Sequence, residues 1–515
     1  MGWVRVLVGL VAVVAAGALV VSGGTEADPR TPEGLPGLPP PFLGTAVAGS
    51  GRLTAAVDAY GDVVDLRANP GGSPLIDNPA DRQAAGTVAV STGIVPWVQV
   101  GGGAARPMWT ADSVAQRYVR GTNVVITAAR FGGTRARIAY AAGDTALACL
   151  TEVDGGGRVS FRSSEPAAVQ RLRCDDRVAQ GIVGKAVRRD RGWLRRALPL
   201  AANAPAWAPR MYERSLLVLR ALTDRRGGGV AGARDGWAYV WPRDAATVAL
   251  AYEAAGYRTE AARVTRFLLG LGLEHAARFH GDGSPVAGRP AQGDAVGWVA
   301  AAARATGMAA SAEQAARILS PTFPVPWRRL ADYQEGEPGD FLANALASGE
   351  AGGRIRGQFG SEGGLAREAG REGGLDTAAA WAVRPFPRPR LAAAVRRTLR
   401  SLGAASSRYG LLPGEDWSGG RDPWTAPAAW SAWSMATLAR RRNGHEAGVD
   451  RTLALHLLAD LRRSATPAGT IPERVSHRTG LPTSTTPLAW THAFAILALQ
   501  ELWPPRTASN FPSGR

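Results

Sequence analysis

The hydrophobic period of this chain changes near Trp207, and that change limits its fold more than any other feature. Before it, from about 43 to 190, segments are short, β-rich and punctuated by Gly. Leu53–Tyr60, then Gly61-Asp62, then Val63–Leu66 reads as a hairpin. Thr87–Val90, Tyr118–Thr127 and Arg137–Tyr140 continue the pattern. After Trp207, Ala/Leu/Arg segments recur with helical spacing. They are Met211–Thr223, Ala245–Gly256, Glu260–Leu273, Asp294–Thr306, Leu375–Ala382, Leu391–Leu402, Thr425–Arg441, Glu446–Arg463 and Leu488–Leu502. Weaker helices are expected near 309–332 and 338–350. The expectation is a multidomain chain, an antiparallel β-sandwich followed by an all-α part. Consecutive helices joined by loops suggest hairpins closed into a ring, or an open solenoid. No motif repeats at a fixed period, which argues against the solenoid.

The expected boundaries are a leader at 1–23, a Pro-rich linker at 24–42, the sandwich at 43–195, the helical part at 203–505 and a tail at 506–515. Residues 1–23 carry one positive charge, an apolar run from Val6 to Val21 and then small residues. This is the pattern of a secretory signal, with an uncleaved membrane anchor as the alternative. Export is the reading adopted, with the chain outside the cell or at the outer face of its membrane. Cys149 and Cys174 suit an oxidising compartment and are candidates for one disulfide, against two buried thiols.

Net charge is +17, from 60 Lys+Arg against 43 Asp+Glu. Such a balance invites nucleic-acid binding, yet Lys185 is the sole lysine and the arginines are scattered without a stripe. No nucleic-acid partner is expected. No His, Cys and carboxylate grouping has metal-ligand spacing, and no Gly loop has the Lys-Ser/Thr of a phosphate cradle. No metal and no cofactor are expected. The 16 Trp are harder to dismiss, because 13 of them follow residue 190 and several sit in loops.

Those loops carry the chemistry. Trp237, Tyr239 and Trp241 offer apolar faces for sugar rings, and Arg243 and Asp244 offer donors and acceptors for hydroxyls. The bland alternative makes Asp244 a helix cap and Trp241 a core residue. Read on residues alone, Glu415 is the first acid candidate. Trp241-Pro242-Arg243-Asp244-Ala245-Ala246 closely resembles the glucoamylase-like inverting enzymes of glycoside hydrolase family 15, which also holds glucodextranases and some trehalases. The resemblance extends, in order, through four further stretches. They are Gly288–Asp294, Leu375-Asp376-Thr377, Ser407–Trp424 and Ile471–His492. The preceding β region is similar to the sandwich of bacterial members.

The resemblance implies an (α/α)6 barrel and an inverting, exo-acting release of glucose from α-glucans. Two carboxyls roughly 6.5–9.5 Å apart would do the work, one protonating the leaving oxygen and one activating water. The resemblance makes Glu473 the base and Glu335 the acid, with Glu337 a nearby competitor and Gln334 where the family carries Trp. It assigns sugar binding to Trp237, Tyr239, Trp241, Arg243, Asp244, Arg289, Gln292, Arg408, Glu415, Asp416, Trp417 and Trp490. His492 beside Trp490 reads as structural. The partner expected is an α-glucan or oligosaccharide, bound by a monomer. A degenerate relative that binds glycan without cleaving it is the alternative.

Overall fold

The computed structural model describes residues 34–77 and 93–505, apart from 164, 235, 312–313, 316, 318–326, 371–373 and 442. The expected leader, the strand Thr87–Val90, the tail and part of the helix near 309–332 lie outside the described residues.

Strands β1 (Gly44–Gly49), β2 (Thr54–Asp58), β3 (Val63–Arg67) and β4 (Pro74–Asp77) pair antiparallel in that order. The β2–β3 hairpin matches the sequence reading. It turns because Asp58 Oδ1 accepts the N–H groups of Tyr60 at 2.8 Å and Asp62 at 2.9 Å, while Gly61 takes a φ of 90°. A second sheet runs β12 (Leu172–Cys174), β10 (Leu147–Val153), β9 (Thr134–Ala142), β8 (Val125–Phe131), β7 (Ser113–Tyr118). A strip of three strands, β11 (Arg158–Arg162), β5 (Val95–Gln99) and β6 (Arg106–Pro107), completes the half. Val57, Leu66, Phe131, Ile138, Tyr140 and Phe161 share one core, which makes these sheets a sandwich.

Three expectations are corrected here. Tyr118–Thr127 is not one strand: β7 ends at Tyr118, and a turn closed by Val119 N–H on Val124 O at 2.9 Å leads into β8. The sandwich is not wholly antiparallel, because β12 pairs parallel to β10. That register sets Cys149 opposite Cys174, and the two are joined by a disulfide. The stretch up to 190 is not all β, because helix α1 (Arg177–Leu194) covers the outer face of the five-stranded sheet. Asp176 caps it, accepting the Ala179 N–H at 2.6 Å. Where it lies on Ile126, Ala139 and Ala148 its buried residues are Ala179 and Ala186, and toward its end Asp190 and Trp193 are buried as well. Alanines among arginines give a faint helical signal, which is why composition hid it.

The helical half comprises α2 (Trp207–Leu222), α3 (Pro242–Ala254), α4 (Arg258–Leu269), α5 (Ala295–Ala305), α6 (Leu342–Ala347) and α7 (Gly352–Phe359). It continues with α8 (Ala392–Ala404), α9 (Thr425–Arg440), α10 (His445–Ser464) and α11 (Ala489–Leu502). The expected helix Leu375–Ala382 is a 3-10 segment, Thr377–Ala382, capped by Asp376. Pro385 follows it and denies the next turn its N–H.

Six of these segments touch in a closed circuit: α3, α5, α6, Thr377–Ala382, α9, α11 and back to α3. They are buried nearly all round; in α11 every residue except Glu501 is buried. The outer helices show the opposite pattern. In α4 the buried residues are Ala261, Val264, Thr265 and Leu268, a single stripe facing α3. Inside the circuit Trp298, Trp381, Trp430, Trp490 and Phe494 pack ring against ring, with neighbouring centroids between 4.9 and 5.9 Å for the closest pairs.

The two halves are locked together. Asn123 donates to Gly49 O at 3.0 Å and to Leu217 O at 2.8 Å, while Arg214 donates to Asn123 Oδ1 at 2.8 Å and stacks 3.6 Å from the Tyr118 ring. The Thr470 hydroxyl donates to Thr45 O in β1.

Candidate active site

A cavity of about 310 Å³ opens over the starts of the inner segments. Trp241, Arg243 and Asp244 come from the start of α3, Trp424 caps α9, and Leu488 and Trp490 start α11. Helix starts expose free N–H groups and the positive end of the helix dipole. Inner helices are apolar all round, so polar side chains that must meet solvent collect at these ends.

Arg243 is 3% exposed and forms the floor. Its Nη1 donates to Gln292 Oε1 at 2.9 Å and pairs with Asp294 Oδ2 at 3.1 Å; its Nε lies 3.4 Å from Asp244 Oδ1. Its guanidinium stacks 4.6 Å from the Trp490 ring. Burial, aided by Asp294 and Glu473 against the opposing pull of Arg243, pushes the Asp244 carboxyl up to about 7.

Glu335 and Glu473 both line the cavity. Trp241 Nε1 donates to Glu335 Oε1 at 2.7 Å, and Trp237 Nε1 donates to Glu473 Oε1 at 3.2 Å. Each carboxyl is thus aimed by an indole from one loop. The second oxygen of Glu335 is paired with Arg289, and that of Glu473 accepts the Ser484 hydroxyl. Arg474 Nε lies 3.9 Å from Glu473.

Each carboxyl sits on a fixed backbone. Glu335 holds a left-handed φ of 60°, uncommon for a residue with a Cβ, and its N–H closes a turn on Asp332 O at 3.0 Å. Asp332 is buried and gripped by Arg367 at 2.8 and 3.1 Å. Gln334 and Tyr333 tie the same loop to Asp376, whose carboxyl burial pushes up to about 7. On the other side, the Ile471 N–H donates to His492 Nε2 at 3.0 Å. Nε2 is therefore bare, so Nδ1 carries the proton and donates to Ser215 Oγ at 2.9 Å. Burial holds the His492 pKa down to about 3, so a neutral imidazole anchors the loop two residues before Glu473. His492 is structural, as the sequence suggested.

The remaining residues singled out from sequence divide. Trp237, Trp241, Arg243, Asp244, Arg289, Trp417 and Trp490 line the cavity together with Glu335 and Glu473. Gln292 lies behind it, buried against Arg243. Tyr239 stands edge-on to Trp241 at 6.4 Å, outside the lining. Arg408, Glu415 and Asp416 do not line it. Arg408 is exposed and lies over its own neighbour Tyr409, and Glu415 accepts the Leu375 N–H at 2.9 Å. Sequence reasoning gave no role to Tyr333, Arg474 and Ser484, whose positions depend on contacts between loops far apart in the chain.

A β-sandwich docked on a closed circuit of helices, with two indole-aimed carboxyls over the helix starts, defines a two-part chain with an aromatic pocket that carries three carboxyls and three arginines. No protein-family model matches the chain, and no curated protein matches it in sequence. In three dimensions it matches a bacterial glucoamylase complexed with acarbose, with a TM-score of 0.68 at 12% identity, covering 94% of this chain and 96% of that one. The shared fold includes both halves, in agreement with the resemblance read from the loops. A glycosidase matches at 19% identity over 58% of this chain and 97% of that one, with a TM-score of 0.47. A glucoamylase from Saccharomycopsis fibuligera matches at 14% identity over 59% and 96%, with a TM-score of 0.46.

Proposed function

We propose that this chain is an exported, monomeric glycoside hydrolase that releases glucose from the non-reducing ends of α-glucans with inversion. Its helical half would be an (α/α)6 barrel, a reading supported by the closed circuit of six inner segments. The observation that carries the function is the pair Glu335 and Glu473, in one cavity and each aimed by an indole N–H. In this reading Glu335 protonates the leaving oxygen and Glu473 takes a proton from water on the other face of the sugar. Arg243 and Asp244 hold the terminal glucose at the closed end. Trp417, Trp424 and Trp490 line the cavity, and the indole nitrogen of each is buried with no partner among the described residues. No cofactor is needed for this chemistry.

One observation favours a second reading, a relative that binds glycan without cleaving it: Arg289 pairs with Glu335, the residue the first reading uses as proton donor. A product screen over α-1,4, α-1,6 and α,α-1,1 glucosides separates the two. β-Glucose released from at least one, and lost in Glu473→Gln, supports the hydrolase. Saccharide binding with no turnover on any linkage supports the second reading.

A further inference from the structure

The walls of the cavity are indoles at almost every turn, but beside Glu335 the wall is an amide, Gln334. In the structure the amide nitrogen of Gln334 faces Asp376, with Nε2 2.9 Å from Asp376 Oδ2, and the amide oxygen faces away from it. The same nitrogen also reaches the Tyr333 hydroxyl oxygen at 3.0 Å. Tyr333 is in turn held, its O–H donating to Asp376 at 3.0 Å, and it is buried. Asp376 is pinned by the Ala378 N–H at 2.6 Å. The donor side of the amide is therefore turned toward Asp376 and Tyr333. Its Oε1 has no partner among the described residues and is not sealed from solvent, and the side chain lines the cavity. What Gln334 presents to a ligand is one oriented acceptor.

Its place in the cavity says which part of a substrate meets it. Arg243, 3% exposed, marks the closed end. Arg289, whose side chain is 44% exposed, marks the mouth, and it meets Glu335 there. Gln334 precedes Glu335 on that loop. We infer that Gln334 Oε1 is a specificity-determining acceptor for a hydroxyl of the leaving sugar, so that this enzyme selects a polyhydroxylated leaving group by a hydrogen bond. This inference rests on the glycoside hydrolase reading above. Asp376 and Tyr333 serve as positioning residues for Gln334.

The test uses the full chain and pairs a substrate change with a residue change. The substrates are the best disaccharide from the linkage screen, its versions deoxygenated at one leaving-sugar hydroxyl at a time, and 4-nitrophenyl α-glucoside, whose leaving group has no hydroxyl donor. The variants are Gln334→Met, of similar length without the acceptor, and Gln334→Trp. In the wild type, one deoxy compound should lose roughly 5- to 10-fold in kcat/KM, the size of one neutral hydrogen bond. That loss should vanish in Gln334→Met. The disaccharide-to-aryl kcat/KM ratio should fall by the same factor in either variant. The inference is overturned if no single deoxygenation costs the wild type, a result that needs no variant to fold. It is also overturned if the loss persists in Gln334→Met, or if both variants scale the two substrates equally. A wild type inert on every glucoside instead removes the hydrolase reading itself.

Discussion

Trp241 gives its indole N–H to Oε1 of Glu335 at 2.7 Å from a ring that is itself 6% exposed. The ring is part of the wall, so the hydrogen bond and the pocket shape come from one residue. Trp241→Phe separates them, because the phenyl ring keeps much of the wall and lacks the donor. A hydrogen bond to a charged group contributes about 1.5–3 kcal/mol, so kcat/KM should fall roughly 10- to 100-fold. Steady-state kinetics with thermal melts checks this; a large loss of Tm would mean the ring matters chiefly for packing.

Glu473→Gln keeps the size of the side chain and its acceptor for Trp237, and removes the base. General-base contributions are typically 10²–10⁴-fold, and kcat should drop within that range with KM little changed. Retention of wild-type kcat would take Glu473 out of the chemistry.

The neutral His492 makes stability depend on pH. Its folded pKa, about 3, lies below the unfolded value of about 6.5. The unfolded chain therefore binds the extra proton first as pH falls. Stability is intact above about pH 6.5 and declines toward pH 3, by about 1.4 kcal/mol per unit from this group. In His492→Gln the acid slope of Tm should be shallower than in the wild type, although the variant starts lower at pH 7. Equal slopes would show that other groups dominate the acid limb.

The disulfide closes a loop with a sequence separation of 25. A bridge of this span commonly stabilises by about 2–4 kcal/mol. The double variant Cys149→Ser, Cys174→Ser should melt several degrees lower, and reductant should lower the wild type by a similar amount. If reductant has no effect on the unfolding midpoint, the bridge is not holding this sheet.

Parts of this architecture were legible because one-dimensional pattern decides them. The β2–β3 hairpin follows from Gly61-Asp62 between two strand-like runs, and α3 follows from the helical spacing after Ala245, although it starts earlier, at Pro242, with Trp241 and not Asp244 in the cap position. The indoles Trp237, Trp241, Trp417, Trp424 and Trp490 stood in loops and do meet in one cavity. What stayed hidden depends on partners distant in sequence. Arg408 lies outside the cavity lining, exposed over Tyr409, with its backbone carbonyl accepting from Arg463. Tyr333 had no role in the sequence reading, yet it is the post on which Gln334 and Asp376 meet. Helix α1 was missed because the residues it buries, Ala179, Ala186, Asp190 and Trp193, include two alanines and a charged residue, which mark burial weakly.

The hydroxyl of Thr470, ending on the carbonyl of Thr45, has a practical consequence. Thr470 lies three positions before Glu473, and the Ile471 N–H next to it is the one held by His492. The loop that delivers Glu473 is therefore clamped from two sides, by the helical ring and by the first strand of the sandwich. The halves are not interchangeable cassettes. A truncated protein beginning at residue 203 would keep every cavity-lining side chain and still lose one jaw of that clamp, so an effort to shrink this chain to its helical part should start by redesigning residues 466–473.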